Sequence, residues 1–486
     1  MIEILQAGFW ESVSGNANAQ RLIDTVLIKH KDILIWCDTA YTYSGTNKVD
    51  AIGHVHIQQG DTLQLYAEKI FYNGDISFAT AIKNVRLINK TATLYTDTLD
   101  FDLESNIGYY NDTGTIIDST TTITSKIGKY YVDDDLLYLY INVYGTNDKF
   151  ILESDTVEYN TITKKINITG PTTIRDSANT IYAESGWYDS ETGEAELLKN
   201  PIVNNKSQNI SAKYIRYSKE NKIGKATGSV RIEDIENQSI ILGENVDYND
   251  ETETAVVTDS AVYINFNESD TLFLHADTLR MIPDTIKDEK IITAYYKVRF
   301  FKTDLQGICD SMVYYTRDSL IQLHYNPVIW SDNHQLSADL IEMKQNADAP
   351  DELHLTLNSF IISKQDSGRF DQIKGKDMIG YITNRKITHI DVDGNGQTLY
   401  YAREKENIIG LNRSESSKIT IQFKDGEIDR IKFLSKPEGE LKPLIELSDQ
   451  DKTLSGFDWK IENRPLSKYD IFESFLSSEK LEDPKN

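Results

Sequence analysis

Apolar and polar residues alternate along most of the chain, and the alternation slips at regular places. In residues 62–72 the apolar side chains fall at Leu63, Leu65 and Ala67, then resume at Ile70 and Tyr72, one residue out of phase across Glu68-Lys69. The same slip separates Ile181 and Ala183 from Gly186 and Tyr188, Ile210 and Ala212 from Ile215 and Tyr217, and Leu272, Leu274 and Ala276 from Leu279 and Met281. A return stretch shows it from Ile82 to Val85 and Leu87. Period-two alternation predicts half-buried β-strands. A one-residue slip sends the apolar set to the opposite face, unless the strand bends there as it does at a bulge. Each strand is therefore predicted to carry a corner. Stacked corners make a trough of two walls with apolar side chains facing inward.

The slips belong to a repeat. A small residue, an acidic residue, Thr or Lys, and an aliphatic residue recur at Cys37-Asp38-Thr39-Ala40, Ala67-Glu68-Lys69-Ile70, Thr96-Asp97-Thr98-Leu99 and Ser154-Asp155-Thr156-Val157. Later copies are Ala183-Glu184, Gly243-Glu244, Ala276-Asp277, Cys309-Asp310 and Ala338-Asp339, with lysine in the acidic place at Lys126 and Lys213 and a weak last copy at Lys376-Asp377-Met378-Ile379. The key residue falls at 38, 68, 97, 126, 155, 184, 213, 244, 277, 310, 339 and 377, and six successive steps lie within one residue of each other. Such a period identifies a repeat architecture. Each unit of roughly 29 residues holds two strands and a turn such as Asn73-Gly74-Asp75, an antiparallel hairpin. About twelve of them cannot lie in one flat sheet and must roll. The fold class expected is all-β: an elongated, semi-closed β-jellyroll, a folded antiparallel meander spanning residues 1–386. Beyond Ile387 the pattern weakens. Residues 387–434 read as a C-terminal β cap with strands around Asp425-Gly426. Residues 435–486, with Pro437, Pro443 and Pro465 and many charges, read as a tail without fixed structure, with a short helix at Tyr469–Glu482.

Composition sharpens this picture. The chain has 486 residues, 28 Tyr and only 9 Pro, which suits strands and argues against low-complexity disorder. Its formal charge is -25. That opposes binding to the phosphate backbone of nucleic acids and docking by charge on an anionic membrane. An anionic amphiphile would have to be held mainly by its apolar part. No run of 18 apolar residues occurs, so no helical membrane span is expected. The start, Met1-Ile2-Glu3-Ile4-Leu5, lacks the features of a signal peptide. Two cysteines, Cys37 and Cys309, exclude a disulfide framework. Both replace the small residue at the corner and are expected as free, buried thiols on distant repeats.

Several stretches together resemble the OstA/LptA-type lipopolysaccharide-transport family, in particular the long OstA-like proteins of Bacteroidetes-type bacteria. They are Ile2-Glu3-Ile4-Leu5-Gln6-Ala7, Cys37-Asp38-Thr39-Ala40-Tyr41, the run Ala51–Leu63, Gly170-Pro171-Thr172-Thr173-Ile174, Ile181–Asp189 and Asp393-Gly394-Asn395-Gly396-Gln397-Thr398. The resemblance implies a periplasmic β-jellyroll whose apolar groove carries lipopolysaccharide acyl chains towards the outer membrane. It implies partners that are other jellyrolls, joined by edge-strand pairing, and a signal peptide already removed before Met1. The groove residues it implies are Leu63, Leu65, Ala67, Ile70, Tyr72, Leu94, Leu99, Phe101, Leu152, Val157, Tyr159, Ile181, Ala183, Tyr188, Ile210, Ile215 and Tyr217. The pattern of these residues by itself favours an ordinary closed β core, and the resemblance reverses that preference.

The remaining candidates have plain readings. The acidic corner row (Glu68, Asp97, Asp155, Glu184, Glu244 and Asp277) could bind cations, yet Lys126 and Lys213 stand in the same row, so solvated carboxylates outside a bend are expected. Asp391-x-Asp393-x-Asn395-Gly396 begins like a calcium loop, but Ala402 occupies the twelfth place where glutamate is needed, and a hairpin turn is expected. His54 and His56 share the outer face and have no third ligand nearby, so neither a metal nor a cofactor is expected. No nucleophile elbow, P-loop or His-Glu-x-x-His motif occurs, and no catalysis is expected. A structural or adhesive rod with a closed core, and a carbohydrate-active solenoid with catalytic carboxylates, remain the alternatives.

Overall fold

The structure is a computed structural model. It describes all residues except 17, 91, 219, 250, 267–269, 285–289, 347–348, 367, 384–385, 405–406, 425–426 and 473–486. It is all-β, an antiparallel meander, and among the described residues helix is confined to three short 3-10 turns. The chain divides into two compact units, residues 1–226 (unit 1) and 227–486 (unit 2).

The hairpin Leu63–Asn73 and Phe78–Asn89 shows how the sequence makes the fold. On the outgoing strand Leu63, Leu65 and Ala67 are buried, Glu68 is exposed, and Ile70 and Tyr72 are buried again. Register explains the slip. Ala67 pairs with Val55 and Lys69 with Ile52, so Glu68 alone stands opposite Gly53 and His54. This two-against-one arrangement is a β-bulge, and it bends both strands. The corner expected on each outgoing strand is therefore present.

The return strand turns the corner differently. Ile82 was expected to begin its slip, but Ile82 is only partly buried, and the inner set is Ala79, Ala81, Val85 and Leu87. Its parity never changes. Two residues, Lys83 (φ 69°) and Asn84 (φ 52°), sit in the left-handed region and rotate the chain through the corner. The same left-handed pair recurs at Asp24-Thr25, Gly53-His54, Ile141-Asn142, Lys199-Asn200, Gly228-Ser229, Asp259-Ser260, Tyr296-Lys297, Tyr325-Asn326, Leu357-Asn358 and Gly394-Asn395. Asparagine recurs because it tolerates this conformation better than most residues. Small inner side chains next to the crease (Ala40, Ala51, Ala67, Ala81, Ser125, Ser154 and Ala183, all buried) make room for larger ones such as Ile70, Val85, Leu99 and Val157 where the two walls meet.

The array does not end at Ile387. Lys386–Glu404 and Asn407–Lys424 are long strands with the same corner. Asp391–Gly396, expected as a hairpin turn, lies within one strand: Gly394 and Asn395 are its left-handed pair, opposite Ser417. In the preceding copy the corner residue is Lys376 rather than Asp377, since Ser359 pairs with Gly375 and Thr356 with Asp377. Lysine at the first of these corners shifted the expected position to the neighbouring Asp377, and serine hid the second from a pattern built on acidic residues. The expected turn at Asp425-Gly426 lies outside the described residues.

The expected tail is also different. Residues 444–472 form a strap across the outer face of unit 2. Leu454 is buried with Phe360, Ile362, Leu399, Tyr401 and Leu411. Ile471 is buried with Ile240, Val262, Ile264 and Phe273. All these sheet residues point away from the inner face. Three buried glutamines hold the strap, two by its backbone and the third by the Arg464 side chain. Gln372 donates to Lys452 O (2.8 Å) and accepts from Leu454 N (2.8 Å). Gln335 donates to Asp458 O (2.7 Å) and accepts from Lys460 N (2.8 Å). Gln306 accepts from Arg464 Nε (2.8 Å). Burial of the anchors and full pairing of each amide give these charged residues a fixed course. The helix expected at Tyr469–Glu482 falls mostly outside the described residues, and Tyr469 itself lies in a turn.

Candidate functional site

Outgoing strands begin at one rim of the trough, here the near rim, and end at the other, the far rim. A straight eleven-residue strand spans about 35 Å, so the rims can touch only where the strands are folded at the corner. In unit 1 they touch repeatedly. His30 Nδ1 at the near rim is 2.7 Å from Tyr72 OH at the far rim. Lys31 Nζ donates to Ser77 Oγ (3.2 Å), and Gln59 Nε2 donates to Leu103 O (3.0 Å). Asn89 Nδ2 donates to Tyr130 OH, Val132 O and Asp135 Oδ1 (3.0, 3.1 and 3.1 Å), and Lys90 pairs with Asp135 at 2.6 Å. Tyr159 OH donates to Asp118 (2.5 Å), which also pairs with Lys164 at 2.8 Å. The series ends where Phe150 meets the Tyr188 ring. These contacts form a seam from His30 to Tyr188.

The seam has two kinds of bonding. Successive far-rim turns are tied to each other by backbone: Gly74 N to Asn47 O, Leu103 N to Ser77 O, Val132 N to Asn106 O, Thr161 N to Asp135 O and Ser190 N to Lys164 O. The bonds that join near rim to far rim, named above, each use a side chain. Burial works against the Asp118 carboxylate, but Lys164, Tyr159 and the Thr120 and Thr121 amides outweigh it and hold its pKa below the ordinary value. Burial lowers the His30 pKa, keeping that ring neutral at its contact with Tyr72.

The structure brings most of the expected groove residues into one interior beneath this seam. Leu63, Leu65, Ala67, Ile70, Tyr72, Leu94, Leu99, Phe101, Leu152, Val157, Tyr159, Ala183 and Tyr188 are all buried, and Ile70, Leu99 and Phe101 have no exposure at all. Four residues lie past the seam. Ile215 is buried, whereas Ile181, Ile210 and Tyr217 are half-exposed, as is Val203 between Ile181 and Ile210. Val203 pairs with both Ile181 and Ile210, so the three make one cross-strand apolar row. The inner face is thus closed and filled along the seam and part-open at Ile181, Val203 and Ile210.

The acidic corner row is a set of clamps. Glu68 pairs with Lys83 (2.7 Å) and accepts from Asn84 (2.6 Å); Glu184 does the same with Lys199 (2.8 Å) and Asn200 (3.0 Å). Asp339 accepts from Asn358, and Asp38 contacts His54 at 2.7 Å. These carboxylates hold the left-handed pair of the next strand, and the Lys83 and Lys199 ammonium groups keep the Glu68 and Glu184 pKa values low. The asparagines were legible: Asn84, Asn142 and Asn200 are evenly spaced, two repeats apart.

His54 sits at a corner, while His56 is stacked between Trp36 (4.9 Å) and Tyr66 (4.3 Å) on the outer face. No group of side chains suited to a metal ion occurs among the described residues. Cys37 and Cys309 are free and buried, and burial pushes their pKa values to about 11 and about 12. No helix among the described residues is long and apolar enough to cross a membrane.

Residues 9–155, which include most of the seam, match the family described as OstA-like protein. Over that stretch the chain is similar to OstA-like proteins. No curated protein matches the chain. The OstA-like family is a transport-type, non-enzymatic and periplasmic-type one, and the β-structure it brings is of the kind used in lipid transport. The matched stretch coincides with the corner-and-seam architecture rather than with any catalytic motif.

Proposed function

We propose that this OstA-like chain is a non-catalytic periplasmic bridge that passes lipopolysaccharide towards the outer membrane with its acyl chains against the inner face. The observation that carries this reading is the apolar row on the inner face, continuous across paired strands and half-exposed at Ile181, Val203 and Ile210. Acyl chains need apolar surface and no hydrogen bonds, which such a row supplies. The acidic exterior suits a cargo gripped by its tails. Partner jellyrolls would join by strand addition at the first edge. Glu3–Gln6 and Phe9–Ser12 pair with Ala19–His30, and Phe9 and Trp10 are exposed there.

The rod reading gains from one observation, the filled interior beneath the seam. The two readings separate by photocrosslinking in native envelopes. A photoreactive residue at Ile210 should give a lipopolysaccharide adduct, and one at the outward-facing Asn209 should not. Equal labelling at both positions, or none at either, would leave the rod as the better account.

A further inference from the structure

We propose that the seam of unit 1 is a lateral gate, through which acyl chains enter the interior lined by Leu65, Ile70, Leu99 and Tyr159. This rests on the lipid-bridge reading above.

Three features of the seam support it. First, the near-to-far bonds join residues 41 to 46 positions apart and are made with side chains, so they part without unpairing any strand. The neutral bonds among them contribute little net, because water replaces them on opening, and the Lys90–Asp135 and Lys164–Asp118 pairs are the stronger latches. Second, the far rim is one body, since its turns are linked to each other through backbone. It can move as a strip, with the latches releasing one after another. Third, the wall has a line on which to swing. The bulge and left-handed pair recur at the same height on successive hairpins, and small side chains fill the crease. Opening there changes a few backbone angles per strand and leaves both walls intact.

The chemistry of the latches fits a gate more than a core. A permanently closed interior is most simply sealed with apolar side chains. Here the rim is closed by His30, Asn89, Asp118 and Lys164, which are buried when the seam is shut and are well hydrated once it is open. Their hydration lowers the cost of opening, whereas their mutual pairing keeps the closed form from leaking. The gate predicts the order of events. Chains lodge first on the part-open row at Ile181, Val203 and Ile210, where the seam has ended, and then part the Phe150–Tyr188 contact.

The test locks the seam. The pair Asn89→Cys with Asp135→Cys replaces one latch with an oxidisable one, since Asn89 Nδ2 and Asp135 Oδ1 are 3.1 Å apart. Lys31→Cys with Ser77→Cys, joined by a short bismaleimide, locks a second point and leaves the Asn89 network intact. Cys37 and Cys309 are buried and stay unreactive in both. Photoreactive residues at Leu65 and at Ile210 then report cargo in native envelopes. The expected result is labelling at both positions in the unlocked protein, loss at Leu65 on locking, and retention at Ile210. Labelling at Leu65 that persists after locking would overturn the gate, because chains would then arrive without crossing the seam. Labelling at Ile210 with none at Leu65 in either state would also overturn it, while the bridge reading survives. Absence of labelling at both positions would remove the bridge and the gate together.

Discussion

Unit 1 and unit 2 fold the same cornered hairpin but hold it by different means. In unit 1 the rims meet, and the stabilising groups lie on the inside edge: His30, Asn89, Asp118 and Lys164. In unit 2 the rims also meet, as where His334 packs edge-on against Phe423, and a separate segment is added across the outside, anchored by Leu454 and Ile471 and fixed by Gln306, Gln335 and Gln372. The difference teaches that a corner defines a shape without closing it. Contacts between rims close it, and unit 2 adds a brace over the back. The brace also permits what latches do not, an apolar outer face, and unit 2 has one at Phe360, Ile362, Leu399 and Leu411.

The comparison breaks most sharply when the brace is cut. Removing residues 444–486 should unfold or loosen unit 2 and leave unit 1 intact. Hydrogen exchange resolved by residue would detect this, and equal loss in both units would refute the separation. Smaller cuts should act locally. Leu454→Ala or Ile471→Ala should each cost unit 2 about 2–5 kcal/mol, as buried large-to-small changes do. In unit 1 the matching lesion is Asp118→Ala. It strands Lys164 beside the buried Tyr159 and should cost about 3–5 kcal/mol, read by denaturant unfolding of unit 1, whereas replacing both partners with apolar residues should restore most of the loss.

The units should also answer pH with opposite signs. Asp118 is held below its ordinary pKa, so its contribution is present above about pH 4, the unfolded value, and is lost as pH falls through the folded one. In unit 2 burial raises Asp371 to about 6, against its bonds to Tyr401 N and Gln365. That group binds a proton more tightly when folded, so it favours unit 2 as pH drops from 7 through 6 and gives this up again as pH rises. Asp371→Asn should flatten that rise without altering unit 1, as followed by exchange rates at pH 5 and 7. The smallest effect is expected at the corner. Asn84→Ala should cost about 1 kcal/mol for its left-handed backbone, and Asn84→Gly should recover most of it in a thermal melt.

Much of this was legible in the sequence, for physical reasons. The slip at Glu68 is a strictly local event, and burial on one face records it in the order of Ala67, Glu68, Lys69 and Ile70. The return corner was misjudged at Ile82 because two left-handed residues preserve parity and leave no slip to see. Only the recurring Asn84, Asn142 and Asn200 mark it. The corner at Lys376 was placed one residue late, at Asp377, and the copy at Ser417 escaped, because the corner demands a position rather than an acid. The strap escaped for a different reason. Its buried anchors Leu454 and Ile471 are far apart, and much of its hold on the sheet is through backbone, which no side-chain pattern records. The clue lay in the sheet instead, where Phe360-Ile361-Ile362 and Leu272-Phe273-Leu274 are apolar on both faces and so announce burial from two sides. Of the candidate site, the inner stripe could be read from periodicity. The seam could not, since His30 and Tyr72 are 42 residues apart and each looks like an ordinary strand end.

The unequal corner also gives the chain something like a reading frame. An outgoing strand spends one residue at the bend and a return strand spends two, so the hairpin is the smallest unit that restores both phases. Loss or gain of whole hairpins would shorten or lengthen the molecule and leave each remaining side chain on its proper face. Loss of a single residue within a strand would invert everything from that point to the next turn. Lineages could therefore vary the number of rungs freely by duplication while tolerating almost no small insertions inside them. Length is the trait that this geometry leaves open to evolution.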